Sequence, residues 1–357
     1  MNVALTYNVR PEEESIKKIL PSNEIVSSKS NLSQTPQPKF NDAYAEWDTF
    51  ETIDAVRNAL SLYNNVNLVE ADENAFEKLR TLKPDIVFNV AEGQNGISRE
   101  AQIPAMLDML KIPYTGSDPL TLTTCLDKAR TKEILTYHRI KNAKFITAFA
   151  KEDLKDFKLR FPVFIKPIGE GSSKGIFNNS FIQNMKELEE ALETNTNIYN
   201  QPSLIEEYLP GKEFTVAMLG NDGDLNVLPI VEMNFDTLPG DLIPIYSYEA
   251  KWIVDKKENP LDIFKCPAEI PKELEQKIKL VVTKAYKVLN CKDWSRIDVR
   301  LDSDGEPNII EINPLPGILP DPKDNSCYPK AARAFGLNYN DMINSVLFIS
   351  AKRHKLI

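Results

Sequence analysis

Two stretches near the C-terminal end of this 357-residue chain carry the side chains best suited to phosphate or carboxylate chemistry. Arg296-Ile297-Asp298-Val299-Arg300 and Ile309-Ile310-Glu311-Ile312-Asn313 alternate polar and apolar residues, the pattern of a strand with one face buried. Between them lies Asp302-Ser303-Asp304-Gly305, and Asp-Gly is a favoured two-residue hairpin turn. With Asp304 and Gly305 as the turn, Ser303 pairs with Glu306. Asp298 then faces Glu311 and Arg296 faces Asn313, and all four polar side chains share one face. Facing carboxylates repel unless a positive charge lies between them. Oxygen ligands of this kind suit Mg²⁺, above all Mg²⁺ that carries phosphates. A solvated hairpin face with scattered charges is the alternative these residues leave open. Pro307 lacks a ladder donor and could shift the register.

A second group of residues follows the apolar segment that ends at Lys166. Gly169-Glu-Gly-Ser-Ser-Lys-Gly175 supplies three glycines that let backbone approach a ligand. Ser172 and Ser173 add donors, and Lys166 and Lys174 add charge, the inventory needed to hold a polyphosphate. The segment is not a P-loop, and its third glycine falls one residue late for the dinucleotide fingerprint. A plain connector is the competing reading. A third group, from Leu204 to Glu213, is an apolar strand running into a hinge at Pro210-Gly211. Its backbone with Glu206 could read the amino edge of adenine, and Glu213 could accept from ribose hydroxyls. An ordinary amphipathic strand would look the same.

Composition excludes several classes. Hydrophobic content of 42% and charged content of 27% are those of a soluble globular protein of two or three domains. A net charge of −9 argues against a nucleic-acid binder. Four dispersed cysteines without C-x-x-C spacing read as reduced thiols, not a zinc site. Two histidines leave little for a Ser-His-Asp or Cys-His hydrolase. No apolar run reaches membrane-spanning length and no signal peptide is visible, so the expected location is cytoplasmic.

The elements that must position these residues follow from periodicity. Strands are expected at 3–7, 66–69 and 85–90, and helices at 48–60, 76–82 and 102–110. This alternation argues a mostly parallel α/β domain ending near Leu120. A polar segment at 21–41 reads as a loop. Beyond it, helices are expected at 124–137, 185–192 and 271–289. Strands are expected at 161–167, 203–209 and 213–219, with a closing helix through Met342 and Leu347. The units expected are 1–120, 121–212 and 213–357, of α/β and α+β class.

Read in order, the segments resemble the ATP-grasp superfamily and, within it, the D-alanine–D-alanine ligases. The matching segments are Ile112-Pro-Tyr-Thr-Gly-Ser117, Leu126-Asp-Lys128, Phe164-Ile-Lys-Pro167, Glu170-Gly-Ser-Ser173, Leu204-Ile-Glu206 and Glu213-Phe-Thr-Val216. Tyr248-Glu-Ala-Lys251, Arg296-Ile-Asp-Val299, Glu311-Ile-Asn313 and Pro316-Gly317 complete the series. The resemblance implies a Rossmann-like N-terminal unit, with ATP between the central and C-terminal units. It implies that Lys128 and Lys166 grip phosphates while Glu170, Gly171, Ser172 and Ser173 close over them. Glu206, Glu207, Tyr208, Leu209 and Glu213 would hold adenosine, with Lys251 also near the nucleotide. Asp298, Glu311 and Asn313 would ligate two Mg²⁺ ions, with Mn²⁺ an option. Arg296, the Gly317 N–H, Lys251 and Ser172 would serve the reacting groups. In such enzymes a carboxylate takes the γ-phosphoryl group and an amine captures the acyl phosphate.

Departures from the family pattern fall on the substrate side. The family's Gly-Gly-x-Ser-x-Glu turn after the first strand is replaced by Thr6-Tyr-Asn-Val-Arg-Pro-Glu12, leaving Glu12, Glu46 and Asp48 as alternatives for its glutamate. Trp252 stands where a tyrosine is common, and Ile318-Leu-Pro-Asp-Pro322 holds no serine after Gly317. Small amino-acid or peptide substrates are expected, with no nucleic acid or membrane partner and a homodimer left open. An ATP-grasp kinase and a non-catalytic nucleotide-binding module are the rival readings.

Overall fold

Val3, Ala4 and Leu5 are fully buried in a strand of six residues, Asn2–Tyr7 (β1). Val3 and Leu5 face one core while Ala4 faces another, as expected for a parallel strand covered on both sides. The computed structural model describes residues 1–11, 44, 46–238, 243–245, 247, 251, 254 and 261–357. The expectations for Glu12, the 21–41 loop, Tyr248 and Trp252 fall outside these. Strand β1 pairs in parallel with Asn65–Glu70 (β2) and Ile86–Asn89 (β3) in the order β2-β1-β3. The helices Phe50–Ser61, Ala75–Leu82 and Gln102–Leu110 connect and follow these strands. Thr49, at the expected start of the first, accepts a bond from the Thr52 N–H, satisfying one of the end donors.

A second sheet holds Phe145–Ala148 (β4), Val163–Pro167 (β5), Phe181–Ile182 (β6) and Ser203–Glu207 (β7), antiparallel in the order β4-β7-β5-β6. The expected helix at 124–137 is instead two, Pro119–Leu126 and Lys128–Tyr137. Asp127 between them is extended, and its side chain accepts from the Ala129 and Arg130 N–H groups. An aspartate that satisfies end donors starts a new helix more readily than it continues an old one. Lys128 thereby becomes the first helical residue. The helix expected at 185–192 runs on to Tyr199.

The third sheet contains Glu213–Leu219 (β8), Asn226–Val227 (β9), Val231–Met233 (β10), Phe264–Lys265 (β11), Trp294–Leu301 (β12) and Pro307–Asn313 (β13). Its order is β11-β10-β8-β12-β13, with β9 on β8. The helices Lys272–Val288, Cys327–Phe335 and Tyr339–Arg353 complete it, the second of them not anticipated from sequence. The last packs back on the first unit, where the Asn344 side chain donates to the Ala59 carbonyl at 2.8 Å. Trp294 meets Phe88 of the first sheet and Tyr328 edge-on, at centroid distances of 5.7 and 5.5 Å. One core cluster therefore joins β1 and β3 to the third sheet.

The hairpin register is the expected one, reached by a different route. Asp298 faces Glu311 and Arg296 faces Asn313. The turn, however, is a three-residue loop, with the Asp302 N–H bonded to the Glu306 carbonyl and Gly305 at φ 75°. Leu301 then opposes Pro307, one residue off the expected pairing, and the ladder shifts between Asp298 and Val299. Ile310 is the extra residue of a bulge that restores the shared polar face.

Candidate active site

A cavity of about 370 Å³ opens between the three sheets. Among the residues nominated from sequence, its walls include Lys166, Gly171, Ser172, Ser173, Glu206, Glu207, Tyr208, Leu209, Glu213, Lys251, Arg296, Asp298, Glu311, Asn313 and Gly317. Lys128 and Glu170 stand behind this wall. The Lys128 ammonium bridges the Glu170 carbonyl and Glu311 Oε1, the latter at 2.8 Å.

Strand β5 delivers Lys166 into a buried charge pair. Its Nζ lies 2.8 Å from Glu206 Oε1, and Lys132 Nζ lies 2.7 Å from Glu206 Oε2. Burial pushes the Glu206 carboxyl up, but Lys132 and then Lys166 outweigh it and hold the group at about 2. Burial lowers Lys166, and Glu206, followed by Glu311, reverses this to a net rise. Lys132, by contrast, is driven down by its burial. Both Glu206 oxygens are thus committed to lysines. This differs from the adenine-reading role considered for its carboxylate, and its pairing with Lys132 was missed. The signal was present in the four-residue step from Lys128 to Lys132 on one helix face.

The facing carboxylates of the hairpin each have their own cation. Arg296 donates to Asp298 from Nε and Nη2 at 3.1 and 3.0 Å, and the Thr215 hydroxyl also donates to Asp298. Glu311 is raised by burial, yet Lys128 and then Lys166 lower it overall. Asn313 Nδ2 lies 3.5 Å from Asp298 Oδ2. Among the described residues no cluster of three or more His, Cys, Asp or Glu side chains forms a metal centre. The Asp298, Glu311 and Asn313 side chains present an oxygen-donor set of the class that takes Mg²⁺ with most remaining ligands from phosphate and water. Burial first, and Arg296 next, depress Lys251 to about 8.

Glu213 and Arg300, both on the cavity wall, pair at 2.9 Å. Arg300 also donates to the Tyr208 hydroxyl at 2.7 Å and lies over its ring. Sequence reading passed over Arg300, although it alternates with Arg296 and Asp298 on the same strand face.

The opposite wall is acidic and belongs to the first unit. Glu46, Asp48, Glu92 and Glu100 line it with Arg10 and Trp47. Burial raises Asp48 to about 7, Arg10 opposing. Burial and then Glu46 raise Glu100 to about 8, and Glu92 also rises with burial and the Glu100 charge. Glu46 instead binds Arg99 at 2.6 Å and accepts from the Gly171 N–H at 2.6 Å. Ser326, at the next helix start and on the cavity wall, accepts from the Leu319 N–H and donates to the Gly317 carbonyl, at 3.2 and 3.3 Å. A tertiary return of nine residues hides it from any local motif.

Comparison with known proteins agrees with this architecture. Residues 133–348 match the family model for the D-ala D-ala ligase C-terminus. An uncharacterised protein, y4sG, of Sinorhizobium fredii is 32% identical over 90% of this chain and 91% of its own. A D-alanine–D-alanine ligase of Bordetella petrii is 30% identical over 81% of this chain and 82% of its own. The solved D-alanine–D-alanine ligase of Bacillus anthracis complexed with ATP superposes with a TM-score of 0.69 at 21% identity, covering 100% of this chain and 98% of that one. The match over residues 133–348, with relatives 32% and 30% identical over 90% and 81% of this chain, means that this chain belongs to the D-alanine–D-alanine ligase family of ATP-grasp carbon–nitrogen ligases.

Proposed function

We propose that the cavity joins a small carboxylate to an amine at the expense of ATP. The observation that carries this reading is the convergence of Lys166, the glycine loop and the Arg296-Asp298-Glu311-Asn313 face around one cavity. Phosphoryl transfer asks mainly for positioning and charge neutralisation, and these residues supply both. Lys166, held in place by Glu206 and Lys132, would meet the phosphates from the strand side. The 169–175 loop would cover them from above, with Lys128 behind it on the Glu170 carbonyl and Glu311. Tyr208 and Leu209 would flank adenine, and Glu213 the ribose. Mg²⁺ held by Asp298, Glu311 and Asn313 would neutralise phosphate charge. We take the three sheets as the centres of the units 1–120, 121–212 and 213–357, with the protein working in the cytoplasm.

In this scheme a substrate carboxylate oxygen attacks the γ-phosphorus, forming an acyl phosphate and releasing ADP. An amine then attacks the acyl carbon, expels inorganic phosphate and gives up a proton. Arg296 would stabilise the tetrahedral oxyanion together with the Gly317 N–H. A methyl group at Gly317 would meet nothing within 4 Å, so the glycine keeps that approach open.

D-Alanine is the leading substrate, and another amino-acid or dipeptide pair is the second reading. The segment after β1 favours the second, because Thr6-Tyr-Asn-Val-Arg-Pro-Glu12 stands where the family's Gly-Gly-x-Ser-x-Glu turn is expected. A screen of D- and L-amino-acid pairs, scored for ADP and for product mass, separates them. Robust D-Ala-D-Ala synthesis at ordinary D-alanine levels would establish the first. Phosphorylated substrate without a joined product would point to a kinase. Asp298→Ala or Glu311→Ala should abolish turnover at ordinary Mg²⁺ and lower the melting temperature by leaving Arg296 or Lys128 without its carboxylate partner, and near-normal activity in either would remove the metal assignment.

A further inference from the structure

The glycine loop is the part of the cavity whose conformation its own sequence explains least. Ser172 and Ser173 both adopt left-handed backbone, with φ of 50° and 61°. Such residues persist only where the surroundings over-determine them. The contacts that do so come from distant chain. Arg99 starts a short turn ahead of the helix Gln102–Leu110 and is buried. Its Nη1 donates to the Gly169 carbonyl at 2.8 Å, and its Nε and Nη2 donate to the two Glu46 oxygens at 3.2 and 2.6 Å. Glu46 Oε1 accepts from the Gly171 N–H at 2.6 Å. A Cβ on Gly171 would lie 2.6 Å from that same oxygen, so a side chain there would displace the Glu46 carboxylate. On the loop side Lys174 pairs with Glu170 at 2.5 Å and lies 3.8 Å from Glu46.

We propose that Arg99 and Glu46 are positioning residues that lash the glycine loop to the first sheet unit and hold it closed over the cavity. Resting on the ATP reading of that loop, the proposal assigns the pair a role through the backbone of Gly169 and Gly171. Its charge state fits: burial raises Glu46, but Arg99 and then Lys174 prevail and keep it ionised. A closed loop keeps water from the activated carboxyl group and commits ATP to product. The segment that carries Glu46, with Trp47, Asp48 and Thr49, also lines the cavity. A ligand seated on that wall therefore adjoins the clasp.

The test uses the full-length protein with Arg99→Ala, Arg99→Lys and Glu46→Gln. Tryptic cleavage after Lys174, measured without nucleotide, reads loop opening directly. It should rise about tenfold in Arg99→Ala while cleavage elsewhere stays unchanged, as expected for local opening. Arg99→Lys keeps the charge but loses the fork to Glu46 and Gly169, so it should fall between the two. In turnover assays the same variants should release more ADP per product formed. Loop protection equal to wild type in all three variants would overturn the clasp. Cleavage accelerated equally throughout the chain would also overturn it, by showing a general structural role. Should wild type bind no ATP by calorimetry, the nucleotide reading fails independently of the cleavage result.

Discussion

Glu100 and Asp48 face the cavity in an electrostatic setting that no local pattern announces. Glu100 lies among Glu46, Glu311, Arg99 and Lys128, and its carboxyl moves from an ordinary 4.5 to about 8. The folded state then binds this proton more tightly than the unfolded state, so the site loses stability as pH rises from about 4.5 to about 8. Glu100→Gln removes that loss. The melting temperature of the variant relative to wild type should climb between pH 5 and 8 and level off above. A difference independent of pH would show that Glu100 ionises normally. At the other wall, Lys132→Met should leave Glu206 paired with Lys166 alone, so that Glu206 holds Lys166 more tightly and withdraws it from the phosphates proposed for it. ATP affinity should fall about tenfold or more, the scale of one weakened charge-assisted contact. Calorimetry with an unreactive ATP analogue would measure it, and unchanged affinity would confine Lys132 to packing.

At the scale of elements, the hairpin shows how a register can survive a wrong turn. The alternation of Arg296, Asp298, Glu311 and Asn313 is a property of the strands and is read directly. The turn is not, because Asp302 reorganises it: its side chain accepts from the Asp304 and Glu306 N–H groups and from Asn308 Nδ2, at 3.0, 2.9 and 3.1 Å. These bonds favour a three-residue loop with Gly305 left-handed, and the bulge at Ile310 compensates. Asp302→Ala should lower stability by about 1–2 kcal/mol, from several lost bonds at a half-exposed site. It should also reduce turnover, since Glu311 loses its fixed place opposite Asp298. Denaturant midpoints together with kcat check this, and a stability loss without any change in kcat would detach the turn from the site. The break at Asp127 has the same character. A helical pattern continued through it, but side-chain bonds to backbone made an end and a beginning there.

The whole molecule depends on joints between segments far apart in sequence. Asp293 has no exposed surface, yet it accepts bonds from the Gly116 N–H, Asn221 Nδ2 and both Arg353 Nε and Nη2, all between 2.7 and 2.9 Å. Arg353 Nη2 also donates to the Tyr114 and Gly116 carbonyls at 3.0 and 3.1 Å. The last helix, the third sheet and the first unit meet at this one carboxylate. Arg353→Ala would leave a buried charge without its counter-ion and should cost about 3–5 kcal/mol. Thermal unfolding would show it as a fall of several degrees in the melting temperature. A shift within experimental error would mean that the Asn221 and Gly116 bonds suffice.

The sequence by itself determined the strands that carry charge, the glycine loop between Lys166 and Gly175, and the order of motifs from which the family resemblance came. Each rests on periods of two or on contiguous residue types, which depend on nearest neighbours and are therefore written locally. Only the tertiary structure decided which charges meet. Glu206 is held between Lys132 and Lys166, Ser326 returns to Gly317, and the Arg99–Glu46 clasp reaches the loop from another sheet. Pair energies depend on distance and burial in space, and residues 70 or 125 positions apart, like those joined across the glycine loop, leave no periodic trace in the chain.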